Sequence, residues 1–197
     1  IKALVDVCLN DTLPTADDEE ARQSPAAYRD LAIMGLMYIG GLRRSEVADI
    51  DVEDINLEQK EARIIGKGNK ERMLFLDDGT IIAVERWLAV RGSYDGALFC
   101  RILKGGRLKP GRLTDQAVYN IVKKRQKQAG ITDISPHDFR KTFISTILEE
   151  TGDLRMAQAL AGHSDPKTTA NYDRRKTENM RKAAGSLHYP VGEGFDG

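Results

Sequence analysis

Apolar positions follow helical spacing over most of the chain and strand spacing over one short stretch. Ala3, Leu4, Val5 and Leu9 open the chain with a helical pattern. Residues 14–25, rich in acids and small side chains, predict an exposed loop. The segment AAYRDLAIMGLMYIGG is nearly all apolar over 31–39, which predicts a buried helix closed by Gly40 and Gly41. RRSEVADI predicts a short helix after it. The period then changes. In EARIIGKGNKERMLFL two short runs, 62–65 and 72–76, flank a Gly-Lys-Gly-Asn-Lys turn, the signature of a β-hairpin. GTIIAVERWLAVRG returns to helical spacing, with Ile81, Val84, Trp87 and Leu88 on one face. GALFCRILKGGRLKPGRL predicts a short strand followed by a basic, glycine-rich loop. Helical patterns then run over 115–129, 136–150, 154–160 and 166–182. The reading is α+β: mostly helical, with one small antiparallel sheet near the first third.

Composition narrows the class. With 197 residues, 41% hydrophobic and 30% charged, the chain suits one sizeable soluble domain. No apolar run approaches the ~20 residues that span a bilayer, and no signal-peptide pattern is present. No membrane partner is expected. Cys8 and Cys100 suit a reducing compartment. The first residue is Ile1, already in a helical pattern, which suggests that the start of a longer protein is missing.

Net charge is zero, which alone argues against nucleic acid. Its distribution argues otherwise: residues 1–60 carry 13 acids and 6 bases, whereas residues 101–140 carry 3 acids and 10 bases. Segregation of this kind can present a basic face on a neutral molecule.

Four short motifs could carry chemistry. In SPHDFRKTF, Ser135 fits an N-cap, Pro136 the first helical position and Asp138 a capping-box acid. His137 and Arg140 share a face of that first turn, and with the backbone N–H groups they make an anion site or an ordinary charged surface. In GHSDPKTTANY, Asp165 and Pro166 start a helix that carries Tyr172, with His163 just before it. His137, His163 and His188 have no paired metal-ligand spacing, so a metal centre on His137 and His163 is a poor reading. In GGLRRSE, Arg43 and Arg44 point different ways, and Glu46 could orient an inward arginine or form a plain surface pair. GKGNKER puts Lys67 and Lys70 at the hairpin tip but lacks the spacing of a nucleotide-binding P-loop.

GLRRSE, GKGNKER, HDFR and GHSDPKTTANY, in this order and at these separations, resemble the tyrosine recombinase (phage integrase) family over roughly residues 28–176. The resemblance implies a catalytic-domain fold of that family over 1–182. It assigns Arg43, Lys67, His137, Arg140, His163 and Tyr172 as catalytic, with Arg44 at a variable position. Lys141 and Phe139 stand where the family often has histidine and leucine.

The implied reaction is site-specific recombination through a 3′-phosphotyrosyl link, with neither metal nor ATP and with no cofactor. Two arginines suit a phosphodiester because their forked donors stay charged at any working pH. Tyrosine has a pKa near 10 and needs a cationic pocket before it attacks. Tyr172 would be the nucleophile, Lys67 the general acid for the leaving 5′-oxygen, and His137 an aid to proton transfer or phosphate orientation. Glu46 would support Arg43 from behind.

The basic stretch 101–127 holds nine bases against one acid. Arg107, Lys109 and Arg112, with Arg44, Lys70 and Lys141, are candidate DNA contacts. Double-stranded DNA is the expected partner. The full-length protein is expected to form a homotetramer on synapsed sites, and the domain alone to be mainly a monomer, because the family's N-terminal clamp domain has no counterpart here before Pro14. The setting would be the cytoplasm of a prokaryote, with the gene carried by the host, a phage or a mobile element. Residues 183–197 form a polar tail with Leu187, Tyr189, Val191 and Phe195 on it, suited to docking on a partner or on the domain itself. A type IB topoisomerase-like relaxing enzyme shares the same pocket and is the nearest alternative. A DNA-binding protein of this fold without useful activity is the next.

Overall fold

The computed structural model describes residues 1–13, 22–66 and 68–162. Lys67, His163, Tyr172, the helix expected over 166–182 and the tail therefore lie outside the described residues. Seven α-helices and seven short strands are described: α1 (Lys2–Leu9), β1 (Thr12–Leu13), β2 (Arg22–Gln23), α2 (Pro25–Gly40), α3 (Arg44–Asp49), β3 (Ile55–Asn56), β4 (Glu61–Gly66), β5 (Lys70–Phe75), α4 (Asp78–Arg91), β6 (Cys100–Ile102), β7 (Leu108–Arg112), α5 (Asp115–Gln128), α6 (Pro136–Thr151) and α7 (Leu154–Ala161).

The central element is α2. Ser24 caps it by accepting from the Ala27 N–H at 3.1 Å, and Pro25 takes the first helical position, where a missing N–H costs nothing. Ala32, Ile33, Met34, Leu36 and Met37 are buried around it. Helices α4, α6, α1, α5 and α3 all pack against it. Gly41 ends α2 with φ 54°, and a Cβ there would lie 2.5 Å from the Phe143 ring of α6. The left-handed backbone and the close approach both demand glycine.

Polar caps set the other helix starts. Asp77 accepts from Thr80 N–H (3.1 Å), Thr114 from Ala117 N–H (3.1 Å), and Asp153 from Arg155 and Met156 N–H (2.8 and 3.0 Å). The capping box expected at α6 is present: Asp138 accepts from both the backbone N–H and the hydroxyl of Ser135, at 2.9 and 2.6 Å. Of the apolar face expected on α4, Ile81, Val84 and Trp87 are buried and Leu88 is half-buried.

The sheet content differs from expectation in three places. The expected hairpin is β4–β5, with Ile64 opposite Arg72 and Gly66 opposite Lys70, and β3 joins it as a third strand. The stretch read as a basic loop is instead strand β7, paired antiparallel with β6. Its alternation was hidden because four of its five residues face solvent. Residues 22–25, read as the end of a loop, supply β2 and the first residue of α2, since Ser24 and Pro25 act as helix starters rather than loop residues.

A buried ionic network ties the first third of the chain to α5. Arg125 is fully buried, donates from Nε to Asp30 at 2.8 Å, and pairs with Asp11 at 2.7 Å. The other Asp30 oxygen accepts from Arg29 at 2.8 and 2.9 Å. Two buried arginines share one buried carboxylate here, and Asp11 adds a second negative charge, so that no charge in the network is buried alone.

Candidate active site

Arg43 is the residue before α3, and the start of that helix shapes its environment. Glu46, one turn on, accepts from the Arg43 backbone N–H at 2.9 Å and from its guanidinium at 2.6 Å. Glu46 is 4% exposed, so its charge sits in a poorly solvated place. Burial pushes its carboxyl pKa up, but the hydrogen bonds and charge of Arg72, with those of Arg43, outweigh this and hold it below the usual carboxylate range.

Arg140 is buried on α6, 3% exposed. Its guanidinium donates to the carbonyl of Gly41, at the end of α2, and to that of Ala161, the last residue of α7, each at 2.5 Å. Arg43 donates to the next carbonyl, Gly162, at 3.5 Å. Two guanidinium groups that would repel each other are thus gathered at consecutive carbonyls of one helix end. The last carbonyls of a helix lack intrahelical partners and carry its negative dipole end, so they suit this task. The next residue along the chain is His163.

Helix α7 is held in place by a small second core, in which Ala157 and Ala161 pack with Phe143, Ile144 and Leu148 of α6. Alanine at both positions lets the two helices approach closely. The Arg43 face opens onto a cleft of about 990 Å³, lined by Arg43, Glu46, Lys70, Arg72, Gln158 and Gly162 among others. Lys67 lies in the chain between Gly66 and Gly68, two further residues of that hairpin, both of which border the site.

His137 is exposed in the first turn of α6. Desolvation lowers its pKa, and the positive charges of Lys141 and Arg140 add to that against the opposing Asp138 carboxylate. This shift favours the neutral imidazole at pH 7.

The outer candidates divide. Arg44 pairs with Asp115 at 3.2 Å and lies over the Tyr119 ring, so it braces α3 on α5. Arg112 donates to the Ala48 carbonyl at 2.9 Å and pairs with Asp51. Lys141 reaches Asp138 at 3.3 Å. Lys70, Arg107 and Lys109 are exposed.

One residue at the site escaped the sequence reading. Arg72 of β5 is 12% exposed and meets Glu46 through both guanidinium N–H tips, at 2.8 and 3.3 Å. A signal existed: Arg72 shares the inward phase of Leu74 and Leu76, and a charge in an inward strand position requires a buried partner.

The chain belongs to the phage integrase family, whose model matches residues 10–179. It is 37% identical over 180 residues to the tyrosine recombinase XerC of Actinobacillus pleuropneumoniae, covering 89% of this chain and 56% of that protein. It is 38% identical over 168 residues to XerC of Haemophilus ducreyi, covering 83% and 53%. The chain thus spans about half the length of the curated relatives it matches. Among solved structures, XerA recombinase superposes with a TM-score of 0.69 at 20% identity, over 95% of this chain and 63% of that one. The XerH site-specific recombinase in a pre-cleavage complex with its difH substrate gives 0.70 at 21% identity, over 93% and 51%. These likenesses are of fold. Among the described residues, no helix is long and apolar enough to cross a membrane.

Proposed function

We propose that this chain is the catalytic part of a site-specific tyrosine recombinase that cuts and rejoins double-stranded DNA. The observation that carries the reading is the gathering of Arg43 and Arg140 at the carbonyls of Gly162 and Ala161, immediately before His163. Each guanidinium has five donors: buried Arg140 uses its two tips on the Gly41 and Ala161 carbonyls, and Arg43 lines the adjoining cleft, where a phosphate would meet it.

In the reaction, the phenolic oxygen of Tyr172 attacks the scissile phosphorus and the bond to the 5′-oxygen breaks. Neutral His137 takes the tyrosine proton. Lys67 gives a proton to the leaving 5′-oxygen. Arg43, Arg140 and His163 hold the charge that grows on the non-bridging oxygens, where removing one preorganised donor costs about 3–4 kcal/mol of barrier. The ester keeps the energy of the broken bond, so a 5′-hydroxyl from a second duplex reverses the step without ATP. The XerC relatives and the XerH complex, recombinases by name, support this reading. Assembly as a tetramer on paired sites, and a place in the cytoplasm beside the chromosome or a mobile element, belong to the same proposal.

The test is a nicked duplex incubated with the full-length protein. Wild type should become covalently attached, and Tyr172→Phe should bind the DNA but attach nothing. Attachment by the phenylalanine variant would sink the assignment. Lys67→Ala should cleave poorly, and a 5′-bridging sulfur, which leaves without a proton, should restore it. Strand exchange between two duplexes separates recombination from simple relaxation.

A further inference from the structure

Glu46 stands between two arginines that both border the cleft, and only Arg43 is among the residues that the motifs assign to the chemistry. Its Oε1 accepts from Arg43 at 2.6 Å and from Arg72 at 3.3 Å, while its Oε2 accepts from Arg72 at 2.8 Å and from the Arg43 backbone N–H at 2.9 Å. A carboxylate paired with Arg43 alone would neutralise it and turn its field away from the cleft. A second, forked arginine on the same carboxylate leaves the trio with a positive charge in surplus, and that charge lies on the more exposed partner: Arg43 is 39% exposed, Arg72 12%.

The backbone makes room for this arrangement. Gly162 has φ 64°, and a Cβ there would sit 2.9 Å from an Arg72 guanidinium nitrogen. The residue before His163 is therefore shaped around the Arg72 head group, while its carbonyl accepts from Arg43. Arg72 joins three elements at one point: the start of α3, the strand leaving the Lys67 hairpin, and the end of α7. Resting on the recombinase reading, we propose that Arg72 is a positioning residue that leaves the Arg43 charge uncompensated toward the scissile phosphate by sharing Glu46. It acts through Arg43 and does not touch the DNA.

The experiment uses full-length protein and single-turnover covalent attachment to a nicked duplex. Arg72→Gln should bind the duplex as wild type does and attach about 10–100-fold more slowly, the scale of losing a hydrogen-bond partner behind a metal ligand. Glu46→Gln combined with Arg72→Gln should be faster than Arg72→Gln alone, because the unshared carboxylate is the source of the defect. A purely structural role would make the double variant no better. Arg72→Lys keeps the charge but not the fork, and should fall between wild type and Arg72→Gln. If Arg72→Gln does not fold, the lysine variant carries the test: wild-type speed in it overturns the role. An unchanged rate in Arg72→Gln overturns it too, as does rescue by a 5′-bridging sulfur, which would place the effect on Lys67. Wild type that attaches nothing fails the recombinase reading itself and takes this role with it.

Discussion

Arg140 shows how one side chain serves both stability and chemistry. Its two carbonyl bonds join the end of α2 to the end of α7 across the helix that bears it. Arg140→Ala leaves both acceptors buried and unpaired, at about 1–3 kcal/mol each. Urea unfolding should show that loss, and covalent attachment should fall by about 10²–10³-fold. Normal attachment by Arg140→Ala would contradict the site. His137 gives a pH prediction. Its pKa is lowered first by partial desolvation of the ring and then by Lys141 and Arg140, so the folded chain binds a proton less readily than the unfolded one. Its share of stability is fully present above the ordinary histidine value, about 6.5, and is lost as pH falls below that toward the folded value. Attachment should follow the same sense, holding its rate down through that ordinary value and declining only in more acid solution, as a neutral base becomes protonated. In His137→Gln the plateau should drop by about 10²-fold and the acid limb should disappear. An acid limb that survives in the variant assigns it to another group.

Elements were legible in the sequence where one local rule decided them. The helices α2, α4, α5 and α6 announce themselves by helical apolar spacing, and α6 also by its Ser135–Asp138 capping box, whereas the Ser24 cap of α2 was read as loop. The hairpin β4–β5 does so by its glycine-lysine tip. Strand β7 did not, because a strand with one half-buried residue, Leu108, and four exposed ones has no hydrophobic alternation to read. The Arg43–Glu46 pair was readable as a helix-start spacing. The hydrogen bonds of Arg140 to Gly41 and Ala161 were not, since they span chain separations of 99 and 21 residues and depend on how α2, α6 and α7 pack. The same packing makes Gly41 a critical joint. Gly41→Ala must hold a side chain in the left-handed region, at about 1–2 kcal/mol, and drive a methyl group into Phe143 besides. Its unfolding midpoint in urea should drop clearly. An unshifted midpoint would mean that α6 can move away without cost, and Arg140 would then lose its fixed distance to α2.

At the scale of the whole molecule, the charge segregation seen in the sequence is partly consumed inside the fold. Of the nine bases in 101–127, Arg125 is buried against Asp11 and Asp30, and Arg112 is tied to Asp51 and the Ala48 carbonyl. Those acids come from the acidic first sixty residues, so the two segments of opposite sign bind each other before either meets a partner. What remains for a DNA backbone on the β6–β7 hairpin are the exposed bases Arg101, Lys104, Arg107 and Lys109, of which the last two lie at the start of β7. Each phosphate contact adds about 0.9 to the slope of log affinity against log salt. Arg107→Gln with Lys109→Gln should therefore flatten the slope of the full-length protein by about 1.8 and leave its thermal unfolding nearly unchanged. Arg112→Gln should do the reverse, because its loss frees the Ala48 carbonyl and the Asp51 carboxylate rather than a phosphate. It should lower the unfolding temperature and keep the slope. Filter binding at several salt concentrations, beside thermal melts of the same samples, reads both effects. An equal drop in slope from Arg112→Gln would show that its ion pair opens to meet DNA, and an unchanged slope in the double variant would remove Arg107 and Lys109 from the DNA-facing surface.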